Sequence, residues 1–204
     1  MTRQRFVTRC CQLAVAIVLT GSLFACSQQA GTPARYYAID SLVRGQIHLL
    51  AARHATLTKT ATLGAQQDTT TFTPGDTLAW TKELDLFLEL KILNKPTNVG
   101  AYTVTDDVPD TRSNLRIKSI ETQQPLPVRY LKVFYHGTPA RVRRIEAQFR
   151  EDNSLYHSGR FLTMEFDELQ QQPILLAYTV TGGQKIFLGD TVAYTVSAKV
   201  SVPN

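Results

Sequence analysis

A series of short alternating segments from Val99 to the end of the chain constrains the fold most strongly. Apolar and polar residues alternate there with a period of two, which is typical of β-strands that bury one face. Proline, glycine, asparagine and aspartate separate the segments. The predicted strands are residues 101–105, 114–121, 128–136, 142–151, 155–166, 173–181 and 185–202. Strands joined so tightly pair antiparallel, because a parallel return needs a long crossover.

The last predicted hairpin contains Gly182 and Gly183, and its apolar residues decide between two registers. A two-residue turn at these glycines pairs Tyr178 with Phe187 and places Leu188 on the opposite side. A three-residue loop that includes Gln184 keeps one face apolar, and we therefore predict it. Its pairs are Val180 with Ile186, Tyr178 with Leu188 and Ile174 with Val192, and its apolar face continues through Tyr194, Val196, Ala198 and Val200.

An amphipathic helix and a hairpin precede this meander. Apolar residues at helical spacing predict a helix over residues 33–53, with Thr32 and Pro33 suited to its start. They are Ile39, Val43, Ile47 and Leu50. Threonines then alternate with other residues from 56 to 62, and a second threonine-rich run ends at 72. This pattern predicts a hairpin that turns at residues 64–66.

A second helix is predicted over residues 76–94, after Thr73 and Pro74 and before Pro96. Its apolar face holds Trp80, Leu84, Phe87 and Leu88. Leucines at 84, 86, 88 and 90 also alternate as in a strand, but the charged residues between them do not keep that alternation. We therefore favour the helix, and we interpret Trp80 as a core residue.

These elements predict an α+β fold that is mainly β. One curved antiparallel sheet, a half-open barrel, would pack its concave face on the two N-terminal helices. A closed barrel or a sandwich fits the same strands. The outline resembles that of the periplasmic lipoprotein carrier and its outer-membrane receptor, in which a curved sheet wraps around helices and leaves an apolar cavity.

The N-terminus has the charge-then-apolar order of a secretory signal. Arg3, Arg5 and Arg9 precede an apolar run that ends at Cys26. The run is too short for a membrane span, which needs about 20 apolar residues. Its end, Leu23-Phe24-Ala25-Cys26, resembles the lipobox of bacterial lipoproteins. That resemblance implies that residues 1–25 are a signal peptide and that Cys26 is acylated, which anchors the chain to a membrane.

The predicted cleavage changes the interpretation of composition. Cys10 and Cys11 leave with the signal and Cys26 carries lipid, so no thiol remains for a disulfide, a metal site or a nucleophile. Without Arg3, Arg5 and Arg9 the formal charge falls from +5 to +2, which does not argue for nucleic-acid binding. Residues 26–34 are polar and predict a tether, and residues 35–204 predict a single globular domain.

Two further resemblances concern location. The residue after the lipidated cysteine influences sorting in enterobacterial lipoproteins, and Ser27 resembles the outer-membrane choice. The segment from Asp76 to Pro96 is similar to a segment of Bacteroidota outer-membrane lipoproteins that carry no known activity. Together they imply a lipid-anchored protein of the outer membrane that faces the periplasm.

The sequence contains no catalytic, metal-binding or cofactor-binding motif. It lacks a nucleophile elbow, a phosphate loop and a dinucleotide fingerprint. His48, His136 and His157 lack the spacing of a metal pair. Asp106, Asp107 and Asp110 do not match a calcium loop and are interpreted as a solvated turn beside Pro109. We therefore predict no enzyme, no metal and no cofactor.

Two charged clusters offer alternatives to this interpretation. Glu165 and Asp167 share one face of a predicted strand beside Glu168, and paired carboxylates are typical of glycoside hydrolases. The basic residues of the other cluster are Arg129, Lys132, Arg141, Arg143, Arg144 and Arg150. Strand alternation divides them between two faces, with Arg141 and Arg143 on one and Arg144 and Arg150 on the other, so a solvated face of mixed charge is predicted.

Three functional hypotheses remain in order of preference. The first is a non-catalytic envelope lipoprotein that binds an apolar or amphiphilic ligand, or supports an envelope assembly, through its curved sheet. The second is a protein-interaction or structural module that docks an envelope partner on the sheet. The third is a hydrolase built on Glu165 and Asp167.

Overall fold

The computed structural model describes residues 36–152, 156–186 and 191–203, and these belong to one compact unit. The predicted signal peptide, Cys26, the tether and the proline start at Thr32 and Pro33 lie outside the described residues. Within the described ranges, no helix is both long enough and apolar enough to cross a membrane.

Nine strands form one antiparallel sheet. The elements in chain order are α1 (Ile39–Ala52), β1 (Thr56–Leu63), β2 (Gln66–Phe72), α2 (Thr77–Glu83), α3 (Asp85–Leu88), two 3-10 helices (Glu89–Asn94 and Pro96–Asn98), β3 (Thr103–Pro109), β4 (Arg116–Glu121), β5 (Val128–Tyr135), β6 (Val142–Asp152), β7 (Tyr156–Leu169), β8 (Gln172–Ile186) and β9 (Thr191–Ser201). The strand order is β2-β1-β9-β8-β7-β6-β5-β4-β3. The sheet is open, with β2 and β3 at its edges, and the predicted α+β, mainly β fold is confirmed.

The first hairpin joins the sheet beside the last strand. β1 pairs with β2 through the predicted turn, here the two residues Gly64 and Ala65, and the hairpin is confirmed. On its other side β1 pairs with β9 from Thr56 opposite Ser201 to Leu63 opposite Tyr194. The first and last strands of the described sheet are therefore neighbours.

Helix α1 buries the predicted apolar stripe. Ile39, Val43, Ile47 and Leu50 are all buried. The helix begins at Ile39, later than the predicted start at residue 33. Its contacts with α2, α3 and β8 place it on one face of the sheet, which we call the inner face.

The second predicted helix has the expected buried face but is not continuous. Asp76 caps α2, and its Oδ1 accepts a hydrogen bond from the Ala79 N–H at 2.8 Å. The helix then breaks at Leu84 and continues as α3 and the first 3-10 helix. The buried residues Leu84, Phe87, Leu90 and Leu93 recur every three positions. A 3-10 helix has three residues per turn, so the tighter winding keeps all four on the core side.

Gln46 joins α1 to an irregularity in the sheet. The pairing of β7 with β8 shifts between Glu165 and Phe166, which leaves Leu176 exposed and interrupts the ladder. Gln46 is buried at this point; its Nε2 donates to the Pro173 carbonyl at 2.8 Å and its Oε1 accepts from the Leu175 N–H at 2.7 Å. One side chain therefore satisfies two backbone groups of β8 that lie beyond its pairing with β9, which ends at Ala177.

A polar cluster holds the chain where the described residues begin. Asn94 accepts the Tyr36 N–H at 2.9 Å and donates to the Tyr37 carbonyl at 2.6 Å. The Tyr36 hydroxyl donates to the Asn98 carbonyl at 2.8 Å. The Tyr36 ring packs edge-on against Tyr102, with the ring centroids 5.2 Å apart.

The buried hydroxyl of Tyr102 is expected to make the free energy of unfolding fall at high pH. Its hydroxyl donates to the Val128 carbonyl at 2.9 Å, and burial raises the pKa of Tyr102 to about 12. An unfolded tyrosine titrates near pH 10. The stabilisation is therefore complete below about pH 10 and is lost as the pH rises from about 10 to 12. Urea unfolding between pH 9 and 11 should show a smaller loss in Tyr102→Phe than in the wild type; equal losses would contradict this assignment.

Strand β3 corrects the predicted acidic turn. We expected a strand to end at residue 105 and Asp106 and Asp107 to lie in a solvated turn. The strand instead runs to Pro109 through a register shift between Thr105 and Val108, where Asp107 has a φ of 59°. The ladder continues because ion pairs with β4 compensate the acidic residues, as described below.

The predicted turn at Gly182, Gly183 and Gln184 is wrong. β8 continues through both glycines to Ile186, where Gly182 pairs with Tyr194 and Gly183 with Ala193. Val180 pairs with Val196, whereas we predicted Ile186, and Tyr178 pairs with Ala198, whereas we predicted Leu188. The assignment of faces survives, because Ala198 and Val200 are buried and Ser197 and Lys199 are exposed.

Candidate functional site

The inner face of the sheet extends beyond the helices as an exposed apolar surface. We call this surface the tip patch; its residues are Ala61, Leu63, Val192, Tyr194 and Val196. Ala61 pairs with Val196 and Leu63 with Tyr194 on adjacent strands. Leu63 is 52% exposed and Val192 is 51% exposed.

The tip patch continues the hydrophobic core along β1 and β9. Residues two apart on a strand share a face, so Leu57 lies on the same face as Ala61 and Leu63. Leu57, Ala198 and Val200 are buried, whereas nearer the turn of the β1–β2 hairpin Ala61, Leu63 and Val192 are exposed and Tyr194 and Val196 are half-buried. The same apolar face is therefore covered at one end and open at the other.

Gly182 allows Tyr194 to lie across the neighbouring strand. A Cβ at Gly182 would lie 2.6 Å from the Tyr194 Oη and 2.7 Å from its Cζ, which is closer than real carbon contacts allow. Tyr194 is half-buried and packs against the core. The missing side chain at residue 182 thus positions the one aromatic ring of the tip patch.

A polar group separates the tip patch from the covered core. The Lys59 ammonium lies 2.7 Å from the Glu83 carboxylate, and Lys59 is on the same face of β1 as Ala61. The Tyr178 hydroxyl donates to Glu83 at 3.2 Å. Burial, and then the Glu83 charge, raise the pKa of Tyr178 far above its ordinary value.

Arg160 forms the second part of this boundary. Its side chain is 14% exposed and lies 3.1 Å from the Glu89 carboxylate and 3.3 Å from that of Glu151. Its guanidinium also stacks over the Phe149 ring, 4.9 Å from the centroid. We call Lys59, Glu83, Tyr178, Arg160, Glu89 and Glu151 the polar belt.

The tip patch and the polar belt place an apolar surface beside a row of ion pairs. An apolar chain on the patch would remove Leu63 and Val192 from water, at about 25 cal/mol per Å² of apolar surface. The belt carries two cations, Lys59 and Arg160, and three carboxylates, Glu83, Glu89 and Glu151.

The structure places the predicted acidic cluster in ion pairs across β3 and β4. Asp106 accepts from Lys118 at 2.7 Å and from the Tyr135 hydroxyl at 2.9 Å, whereas Asp107 pairs with Arg116 at 2.7 Å. The pKa of Asp106 is lowered, mainly by the hydrogen bond from Lys118. Asp110 instead accepts a hydrogen bond from Ser113. Among the described side chains, no group of three His, Cys, Asp or Glu residues is arranged to hold a metal ion.

The other charged residues that the sequence singled out pair with one another. Arg143 lies 3.1 Å from Asp167 and 2.7 Å from Glu168, which also pairs with Arg141 at 2.8 Å. Glu165 is exposed on the same strand as Asp167. Because Arg141 and Arg143 share a carboxylate, their predicted common side agrees with the structure.

Arg144 belongs to a different environment, as the alternation predicted. Its guanidinium carbon lies 4.1 Å from the centroid of the Phe134 ring, and it pairs with Glu146 at 3.0 Å. Lys132 similarly pairs with Glu121 at 3.3 Å. Lys132, Arg141, Arg143 and Arg144 thus lie in ion pairs, whereas Arg129 donates to the Gln124 carbonyl.

The predicted histidines do not converge on the tip patch. His48 and His136 are exposed, on α1 and directly after β5. The side chain of His157 lies outside the described part of the structure. Trp80 is fully buried, which confirms its interpretation as a core residue.

Sequence reasoning missed the tip patch because it needs a long-range pairing. The alternation of Leu57, Lys59, Ala61 and Leu63 was visible, as was that of β9. Nothing local indicated that the first hairpin pairs with the last strand. The incorrect turn at Gly182 also placed Val192 opposite Ile174, whereas the structure pairs Val192 with Gln184.

Comparisons with protein-family models, curated proteins and solved structures found no match to this chain.

Proposed function

We propose that this protein is a non-catalytic lipoprotein of the bacterial envelope that binds a single-chain amphiphile on the tip patch. The observation that carries the proposal is the apolar inner face that continues past the helices, with Leu63 and Val192 half exposed. Exposed large apolar residues gathered on one face mark binding surfaces more often than isolated ones do.

The location is supported by the N-terminal sequence alone. Three arginines, a short apolar run and the lipobox-like Leu23-Phe24-Ala25-Cys26 favour export and acylation of Cys26. Ser27 favours the outer membrane, facing the periplasm. Such an anchor would keep the sheet within reach of membrane amphiphiles.

The polar belt suggests the chemistry of the ligand headgroup. Lys59 and Arg160 each pair with carboxylates, so the belt offers both donors and acceptors. A zwitterionic headgroup can exchange with such pairs without leaving a net charge uncompensated. We therefore propose an acyl chain on the tip patch and a zwitterionic group at the belt.

Two exposed apolar residues provide a matched test. Leu63 lies on the inner face and is 52% exposed; Phe161 of β7 lies on the opposite face and is 50% exposed. We expect Leu63→Gln to weaken binding of a fluorescently labelled lysophosphatidylcholine about tenfold, which corresponds to about 1.4 kcal/mol of lost apolar contact. Phe161→Gln should leave the affinity unchanged.

The titration can be done with residues 34–204, because the described residues have their own core and belong to one compact unit. Fluorescence of the labelled lipid reports binding, and thermal unfolding reports that both variants are folded. No saturable binding by the wild type, or equal weakening by the two variants, would exclude the tip patch as the site.

A further inference from the structure

The two edges of the sheet differ in how they are protected against pairing. β3 has a register shift between Thr105 and Val108, ends at Pro109, and carries Asp106 and Asp107 in ion pairs with β4. Bulges, proline and charges are the devices by which natural sheets block an edge. β3 is therefore a protected edge.

β2 has only one of these devices, the charge of Asp68. Its seven residues, Gln66–Phe72, pair with β1 without a register shift. They include no proline, lysine or arginine, and Asp68 is their one charge. Three consecutive threonines favour the extended conformation. Among the described residues, no strand pairs with the outer side of β2.

The hairpin geometry determines which backbone groups of β2 face outward. A two-residue turn makes its flanking residues, Leu63 and Gln66, a hydrogen-bonded pair, and hydrogen-bonded pairs then recur at every second residue. The Gly64 N–H donates to the Ala193 carbonyl of β9, so the even-numbered residues of β1 face β9 and its odd-numbered residues face β2, in agreement with this alternation. The free N–H and C=O groups of β2 are therefore those of Gln67, Thr69 and Thr71.

The spacing of these three residues allows them to pair with the same three residues of a second copy of the chain. If two copies of β2 run antiparallel about a two-fold axis at Thr69, then Thr69 faces Thr69 and Gln67 faces Thr71. All three outward residues then form hydrogen-bonded pairs, whereas a shift by two residues loses one of them. Asp68 faces Thr70 in this register, while a shift of two toward the turn would place Asp68 opposite Asp68.

The side chains continue across the same junction. Thr69 contacts Thr60 with the hydroxyl oxygens 2.9 Å apart, and Thr60 pairs in turn with Ser197 and Ser197 with Thr179. This row of hydroxyls lies on the face opposite the tip patch. Pairing at Thr69 would extend the row into a second copy, and cross-strand threonine pairs stabilise sheets.

We propose that β2 is the interface of a symmetric dimer, in which two copies join their sheets through antiparallel pairing centred on Thr69. The occupant is a second copy because the register that uses every outward group also separates the acidic residues. This interface is distinct from the tip patch, so the dimer does not depend on ligand binding.

A charge exchange at Thr69 tests both the interface and its register. Thr69→Lys and Thr69→Glu each place like charges face to face across the two-fold axis, with Cα atoms about 5.5 Å apart. Each variant alone should sediment as a monomer in analytical ultracentrifugation. An equimolar mixture should recover the dimer, because lysine then faces glutamate.

Two control variants separate this effect from general ones. Thr105→Lys adds the same charge to an exposed threonine of the protected edge β3, and it should remain dimeric. Thr60→Val removes the hydroxyl contact of Thr69 without adding charge and should also remain dimeric. Circular dichroism checks that each variant is folded.

The outcomes decide the proposal in either direction. A wild-type chain that stays monomeric at several hundred micromolar would overturn the interface. A dimer that persists in both Thr69 variants, or a mixture that remains monomeric, would overturn the two-fold register. The full chain in detergent should have the same oligomeric state as residues 34–204.

Discussion

Replacing Trp80 with alanine is expected to lower the free energy of unfolding by about 3–5 kcal/mol, the range typical of large aromatic residues in a core. Trp80 is fully buried on α2, among the largest side chains of the core. The alanine substitution leaves a cavity beneath α2. Leu84 and Phe87 are also buried, so α2 and α3 can fill that cavity only if these two side chains move. Urea denaturation followed by circular dichroism measures the loss.

The matched variant is Trp80→Phe. The indole Nε1 of Trp80 is buried without a hydrogen-bond partner among the described residues. A phenyl ring removes that unsatisfied donor, whose burial costs about 1–3 kcal/mol, while it loses part of the apolar contact. We expect a net change within about 1 kcal/mol. A loss as large as that of Trp80→Ala would show that the indole N–H has a partner.

The second large effect is expected at Gln46. Gln46→Ala leaves the Leu175 N–H and the Pro173 carbonyl without their partner beneath α1. Each unsatisfied backbone group costs about 1–3 kcal/mol, so we expect a total loss of about 2–5 kcal/mol. Chemical denaturation measures this loss, and hydrogen exchange at the Leu175 amide should accelerate more than exchange in β5.

Two further variants identify the cause. Gln46→Met preserves most of the side-chain volume but neither hydrogen bond, so it should show most of the loss of Gln46→Ala. His48→Ala changes an exposed residue of the same helix and should shift stability by less than about 0.5 kcal/mol. A stable Gln46→Met protein would mean that packing, and not hydrogen bonding, makes Gln46 important.

The sequence predicted elements with clear periodicity and failed where long-range contacts decide. The stripe of α1 and the buried face of α2 and α3 followed from spacing, because helix faces are local. The start of α1 at Ile39 did not follow from spacing. The break after Glu83 did not follow either, because packing in the core selects between α and 3-10 winding.

Gly182 and Gly183 show how a local signal misleads. Two adjacent glycines are typical of a turn, and the prediction followed that rule. In the structure Gly182 lies within β8, and the Tyr194 ring occupies the space that a side chain at residue 182 would need. Glycine in a strand marks close approach as well as turns, and only the β9 partner distinguishes the two.

The candidate site was less predictable than the fold. Its apolar residues were visible as alternation, but their exposure depends on where the helices end. Asp106 and Asp107 looked like a solvated turn because their partners, Lys118 and Arg116, come from the next strand. A single sequence does not contain that pairing.

The junction of β1 with β9 sets the order in which the molecule can assemble. Thr56 of β1 pairs with Ser201 of β9, and strands β2 to β8 lie between the two partners in the sequence. Until this long-range pair forms, the β1–β2 hairpin has unpaired backbone groups along the outer sides of both strands. Its threonines and glutamines suit that state, because a hairpin of valine and isoleucine would be more prone to aggregation. We infer that the polar composition of this hairpin reflects the large sequence separation of β1 from its partner as much as the environment of the finished sheet.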